Sequence, residues 1–507
     1  MPDLAAASRA EVPLAAPPWG ICDFSQKHLS MLVLAEERVE PSRYSSSIIY
    51  LVSFHPLAKF PGPKWWAVSR ITGAYDVIEG DLWAVLDGLH EKYGAHSSNR
   101  APSNDNHHPA AWKYIYVTKP VLMKDTYGLT PPVNGAHSLF TAEGGTHRRL
   151  RGALVNGFAD RSLRDQKPIA EGYGNQLIAL FRREAAKSAD GTVVIQRMYG
   201  YATFDTVTNL SFGESLLNTF ESDTGNDEIR DFFLHAKFST IRNCLSRFSQ
   251  LDIFLRLFLF RVSRKTRERN WRLTTEKINR WLTRSDLLAP LVGKLDETGG
   301  VKGIIIIKAE LTTNQLAFVI ADCQLTTVAL AMVTYLLLRD PPKWQQLVEE
   351  IRGHLTSNDQ ITVLSTQELA YLEAVNDGTM RFRHPTPISF RDASLQKDRR
   401  STASEFPAIN IQTTPTLWVE QHAFHPERFL PQSDPRFHAV LSWPAKLPGF
   451  KVKMFLAKAR VFLAKVVWNF DLVMLENQED CLDQKVYLLF EPKPLVKLSI
   501  PGDATRM

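Results

Sequence analysis

The chain has 507 residues, 44% of them hydrophobic and 22% charged, which excludes a disordered or collagen-like protein and allows a core that needs no disulfide staples. Its net charge of +6, from 60 basic and 54 acidic residues, is too thin an excess to argue for nucleic acid. Four cysteines, Cys22, Cys244, Cys323 and Cys481, lie far apart with no CxxC pair, so neither a zinc site nor a disulfide framework is indicated.

Residues 1–54 are expected to be a poorly ordered head. They lack the ordered basic, apolar and small-residue regions of a secretory leader. The apolar runs Leu29–Ala35 and Ile48–Phe54 fall short of the roughly 18–20 residues that cross a bilayer. Then comes HPLAKFPGPKWW, His55 to Trp66, where three prolines and a glycine forbid regular helix and stiffen the chain into a hinge. From residue 55 to 507 the chain reads as a single domain, with 384–449 its irregular part.

The body is mainly α. Apolar residues recur at helical spacing over 169–187, 228–248, 312–339, 342–355, 366–383 and 451–468, and strand-like runs are confined to Val486–Phe490 and Val496–Ile500. Thr312 with Gln315 makes a capping box, and Pro341-Pro342 ends the helix after Leu338. Between them Leu316–Leu338 is apolar on nearly every face. A membrane span is one explanation, but Asp322 inside it would cost up to about 2.5–3.5 kcal/mol in lipid. The central core helix of a large protein shows the same pattern and is the preferred reading. Leu251–Leu273 joins an apolar run to a basic one, as a membrane-surface segment or as a solvated helix face after a buried loop. The His107-His108 pair sits in a polar loop without further ligands, and there is no GxSxG, HExxH or Walker loop.

Several of these pieces together resemble the fungal haem-thiolate monooxygenases of the cytochrome P-450 superfamily. HPLAKFPGP is similar to the hinge that follows the membrane anchor in microsomal members. Thr146–Ile169 resembles the haem-flanking helix, with His147 and Arg151 at the spacing of the pair that holds a haem propionate. The long central helix resembles the one crossing the haem face, with Thr326-Thr327 at its threonine pair. Leu369–Pro387 resembles the helix of the Glu-x-x-Arg motif, whose arginine is Arg381; FHPERFL, with Arg428, matches the next element, and Ala459–Leu472 the helix after the cysteine loop. The matches run in family order from about residue 45 to 500.

What the resemblance implies is a mainly α fold with a long central helix and a small β-rich part. It also implies a haem b cofactor held by a cysteine thiolate, whose electron donation favours O–O cleavage. An NADPH-dependent reductase, a small lipophilic substrate and an endoplasmic reticulum location follow by the same resemblance, with contact to a membrane surface possible and nucleic acid not expected. Thr326 would serve the oxygen side in proton relay. Its alternative is a helix threonine bonded to its own backbone carbonyl four residues back. His147 likewise stands between a propionate role and a solvated helix position. Arg381 and Arg428 are expected to be structural.

The sequence also departs from the family. Counting back nineteen residues from Trp468, the axial cysteine position holds Gly449, within LSWPAKLPGFKVK, and no cysteine stands in place to ligate iron. Cys323 is read as a small buried hydrophobe. Leu325 stands at the position of the family's acid, and Asp322, one turn earlier, is a conceivable substitute but reads as a capped or water-bound core acid. Gly378 replaces the glutamate of Glu-x-x-Arg, and Asp377, four residues before Arg381, is the expected substitute partner. No membrane anchor is seen before the hinge. Losses gathered in 384–449 suggest a degenerating gene or a mispredicted splice pattern. Three functions therefore stand open: a haem monooxygenase, a haem-free pseudoenzyme that keeps the fold, and a membrane-associated structural protein.

Overall fold

The computed structural model describes residues 48–55, 61–68, 71–93, 135–155, 160–188, 191–215, 308–383, 418–434, 452–475, 481–482 and 484–487, with shorter pieces between and after them. Residues 1–47, Gly449, His107 and His108 lie outside this set. So do nearly all of the expected helix 228–248 and of Leu251–Leu273. The described part is mainly α, with a small β component, as expected.

In chain order the helices are α1 (Lys64–Val68), α2 (Ile71–Glu79), α3 (Leu82–Tyr93), α4 (Gly144–Val155), α5 (Asp160–Lys187), α6 (Ile195–Phe212), α7 (Lys308–Leu338), α8 (Pro341–His354), α9 (Ala370–Phe382) and α10 (Val452–Asn469). Among the strands, β1 (Thr192–Val194), β2 (Val473–Met474) and β3 (Lys497–Ser499) form one antiparallel sheet with β3 in the middle. Val486–Tyr487 and Leu489–Phe490 form a tight hairpin, in the first of the two runs read as strand-like.

The central helix α7 is long and apolar enough to cross a membrane, yet it is built into the core: Val319, Cys323, Leu330, Val333 and Leu337 are all buried. Its principal neighbour is α6. There the Tyr199 hydroxyl meets Thr334 Oγ1 at 3.1 Å and Thr203 Oγ1 meets Thr327 Oγ1 at 2.7 Å. Phe181 of α5 packs edge-on against Tyr199 and tilts against Phe470, with ring centroids 6.1 and 5.5 Å apart. α7 starts at Lys308, four residues before the expected capping box, so Thr312 lies inside the helix and is buried. Glu310 is the acidic residue of the first turn, where it suits the positive end of the helix dipole.

Helix ends are fastened by side chains from elsewhere. Pro341 opens α8, and Asp340 caps it by accepting from Lys343 N at 3.4 Å. Glu350 of α8 accepts from Tyr371 N at 2.7 Å and Leu372 N at 2.9 Å, which satisfies the free amides at the start of α9. Arg352, also on α8, donates to Val467 O at 2.9 Å and Phe470 O at 3.0 Å and pairs with Asp471 at 2.7 Å. That closes the last turn of α10.

Gly80, with φ of 81°, joins α2 to α3, and its carbonyl accepts from Val486 N at 2.8 Å. A Cβ there would come within 3.0–3.1 Å of Lys485, Tyr487 and Val486 N, so both the backbone angle and the space call for glycine. Nearby, burial and then the neighbouring Asp81 push the Asp76 carboxyl up to about 6. A folded-state pKa above the unfolded value means stability is lost as pH rises from about 4 through about 6. Asp76→Asn is therefore expected to melt a few degrees higher than the parent at pH 8, with the gap closing towards pH 4. Thermal scans across that range check it, and a gap independent of pH would refute the assignment.

Candidate functional site

Helix α4 and the turn before it meet the start of the central helix. The Arg149 guanidinium of α4 grips Glu310 through both oxygens, at 2.9 and 2.5 Å, and that bond raises the arginine pKa above its usual value. Asn314 Oδ1 accepts from Leu139 N at 2.8 Å, which pins the approach to α4 on the same turn. His147 and Arg151 stand one turn apart on α4, so they share a face. His147 is half-buried and Arg151 exposed.

Along α7 the accessible positions follow helical spacing. Leu316, Ile320, Ala321 and Leu325 are only half-buried, whereas Val319, Asp322, Cys323 and Thr326 are buried. An apolar stripe of this kind suits a lipophilic molecule. Thr326 Oγ1 donates to Asp322 O at 2.7 Å, the back-bonded arrangement that was the alternative to an oxygen-side role. The Asp322 carboxylate is ion-paired with Lys458 of α10.

The buried Cys323 does not offer a thiolate. Cys323 faces α6, with Sγ 3.5 Å from Thr203 Oγ1 and 3.9 Å from Gly200 O, and burial pushes its thiol up to about 12. Cys481 is also buried, in the turn where Gln484 Nε2 donates to its carbonyl at 2.8 Å. Iron needs a deprotonated sulfur, so the buried Cys323 does not fit the family's axial ligand. Among the described residues no cluster of His, Cys, Asp and Glu could hold a metal ion.

The arginine expected in the Glu-x-x-Arg motif is tied to main-chain carbonyls of the segment that follows. Arg381 is buried and donates to Gln421 O at 2.8 Å and Ala423 O at 2.7 Å, with the Trp418 ring 5.2 Å from its guanidinium carbon. The charges of Glu373 and Asp377 act on Arg460 of α10 and oppose the effect of its burial. Burial and then the neighbouring Arg428 draw Arg381 down to about 9, so it stays charged at neutral pH. Arg428 is held by Glu420 O at 2.9 Å, in a turn where Glu420 adopts a left-handed φ of 52°. At Gly378 a Cβ would sit 3.3 Å from the Phe424 ring and 3.4 Å from Pro426 Cα, so the space of the missing glutamate is taken by the segment that holds Arg381.

Sequence reasoning missed the buried bases of α10. Lys458 and Lys465 are fully buried and Arg460 nearly so. Lys465 Nζ donates to Asn175 Oδ1 at 2.8 Å and Asn358 O at 3.0 Å. The signal was present in FLAKARVFLAKVVW, where three cations interrupt an otherwise apolar helix of the core.

A long helix at the centre of a mainly α body, flanked by an arginine-bearing helix and a Pro-Glu-Arg-Phe turn, defines the architecture of a haem-thiolate monooxygenase. The family model described as cytochrome P-450 matches residues 61–442. Averantin hydroxylase of Dothistroma septosporum is 30% identical, over 89% of this chain and 88% of that protein. A cytochrome P-450 monooxygenase of Talaromyces stipitatus is 30% identical over 90% and 92%, and versicolorin B desaturase of Dothistroma septosporum 26% identical over the same shares. The chain belongs to the cytochrome P-450 family, among relatives from fungal secondary metabolism.

Proposed function

We propose that the chain is a monooxygenase that inserts one oxygen atom from O2 into a small lipophilic metabolite of fungal secondary metabolism. Haem b would be its cofactor, an NADPH-dependent reductase its electron donor, and the endoplasmic reticulum membrane its location. The observation that carries this reading is the half-buried apolar stripe Leu316, Ile320, Ala321 and Leu325 on the central helix of a cytochrome P-450 body. Relatives named as a hydroxylase and a desaturase support it. His147 and Arg151 would take the haem propionates, while Thr326 lies on the buried flank of the same helix. Bound haem would supply the activation of dioxygen; the protein's part is to seat the substrate along the stripe and keep water out.

One observation favours a second reading, a haem-free protein that keeps the fold. Gly449 stands at the cysteine position, and burial keeps the Cys323 thiol protonated. The reduced, carbon-monoxide-bound absorption spectrum of the purified chain separates the two. A red-shifted Soret band of thiolate type supports the monooxygenase, and a folded protein that takes up no haem supports the second reading. Gly449→Cys alone is expected not to create that band, because LSWPAKLPGFKVK lacks the rest of the family's loop. A thiolate band from this single variant would show that the loop is intact after all.

A further inference from the structure

None of the buried apolar residues of α2 and α3, Ile71, Ala74, Trp83 and Leu86, belongs to the main core. Trp83 packs instead with Val486 of the hairpin and Val328 of the central helix, in a small cluster of its own. Polar ties hold this satellite together. Besides the bond from Val486 N to Gly80 O, Trp83 Nε1 donates to Gln484 O at 3.0 Å and the Tyr487 hydroxyl to Glu79 O at 3.3 Å, while Lys485 pairs with Asp81 at 2.5 Å. Lys237 Nζ lies 4.3 Å from the centre of the Tyr487 ring, the Arg383 guanidinium 4.6 Å from that of Trp83, and Cys244 Sγ 3.9 Å from Ala74 O. Asp76 stands half-buried on α2, one turn before Gly80. The charge that bears on it is that of Asp81, whose own counter-ion is Lys485.

We propose that this satellite is a pH-sensitive flap: ionisation of Asp76 beside Asp81 releases α2, α3 and the hairpin from Val328 while the main core stays folded. Burial and Asp81 hold the Asp76 carboxyl up at about 6, so any state that returns it to water and parts it from Asp81 binds its proton less tightly. That state gains population as pH rises from about 4 to about 6 and levels off above, because both states are then ionised. Opening of this kind breaks only the local ties, since α2 and α3 place no buried apolar residue in the main core. Val328 continues the Ala321 and Leu325 row of the central helix by one turn, so the satellite sits at that end of the apolar stripe. The inference does not rest on the monooxygenase reading.

The test is hydrogen exchange of the full chain, followed by mass spectrometry at several pH values from 4.5 to 7.5. Each rate is referred to that of an unstructured peptide at the same pH. Peptides from α3 and the hairpin are expected to be about tenfold or more less protected than those from α6 and α10 at every pH, the mark of a separate opening. Their protection is expected to fall roughly tenfold or more from the lowest to the highest pH, and in Asp76→Asn, which cannot ionise, that fall should vanish. Satellite and core peptides with equal protection would mean that only the whole chain opens, which overturns the flap. A flat profile in the parent overturns it too, as does an undiminished fall in Asp76→Asn. Should that variant fail to fold, the parent decides alone: low satellite protection that falls with pH supports the flap, and either feature missing sinks it.

Discussion

Arg381→Ala is expected to lower folding stability by about 3–5 kcal/mol, since hydrogen bonds from a charged donor are worth roughly 1.5–3 kcal/mol each and two are lost. The guanidinium spans two main-chain carbonyls, Gln421 O and Ala423 O, and lies against Trp418. Truncation leaves both acceptors without this donor and opens a space beside a buried tryptophan. Arg381→Lys should recover less than half of the loss, because an ammonium is a point charge and cannot match a planar fork aimed at two acceptors. Urea denaturation of the three proteins measures this. An alanine variant within about 1 kcal/mol of the parent would mean that segment 418–434 is held by something else.

Restoring the family's glutamate should harm the chain. Gly378→Glu is expected to destabilise by about 2–3 kcal/mol, because the Phe424 ring and Pro426 backbone stand where the side chain must go. Gly378→Ala is the control. Its single carbon meets contacts of 3.3–3.4 Å, tight enough to offset the gain of roughly 1 kcal/mol that alanine brings to a helix over glycine. Near-neutral stability for alanine and a clear loss for glutamate is the expected pair of results. A glutamate variant more stable than the parent would show that the 424–426 segment can yield and that the carboxylate reaches Arg381.

Much of the scaffold could be read from spacing alone. The expected helices at 342–355 and 451–468 correspond to α8 and α10 within one residue at each end, and 312–339 to α7 except that the helix begins four residues earlier. α6 was invisible. MYGYATFDTVTNLSF is rich in β-branched and aromatic residues and is buried on almost every side, so it shows neither a polar stripe nor a helical bias. Its pairing with α7 is nonetheless the heart of the core. Thr192–Val194 and Val473–Met474 were missed for a different reason: strands of two or three residues leave no period to count. Within the site, the partners of Arg381 and Asp322 could not be read from the sequence, since Gln421, Ala423 and Lys458 are joined to them only by tertiary packing.

The three-stranded sheet bears on how the protein is made. Its middle strand, Lys497–Ser499, comes from near the very end of the chain, while one flank, Thr192–Val194, was synthesised some three hundred residues earlier. During translation the two outer strands are held apart by an empty lane, and no pairing between them can substitute for the missing centre. The sheet is therefore among the last parts of the fold to close, after the helical core can already assemble. Removing a few terminal residues would leave both flanks as open edges, with amides and carbonyls free to recruit strands from other molecules.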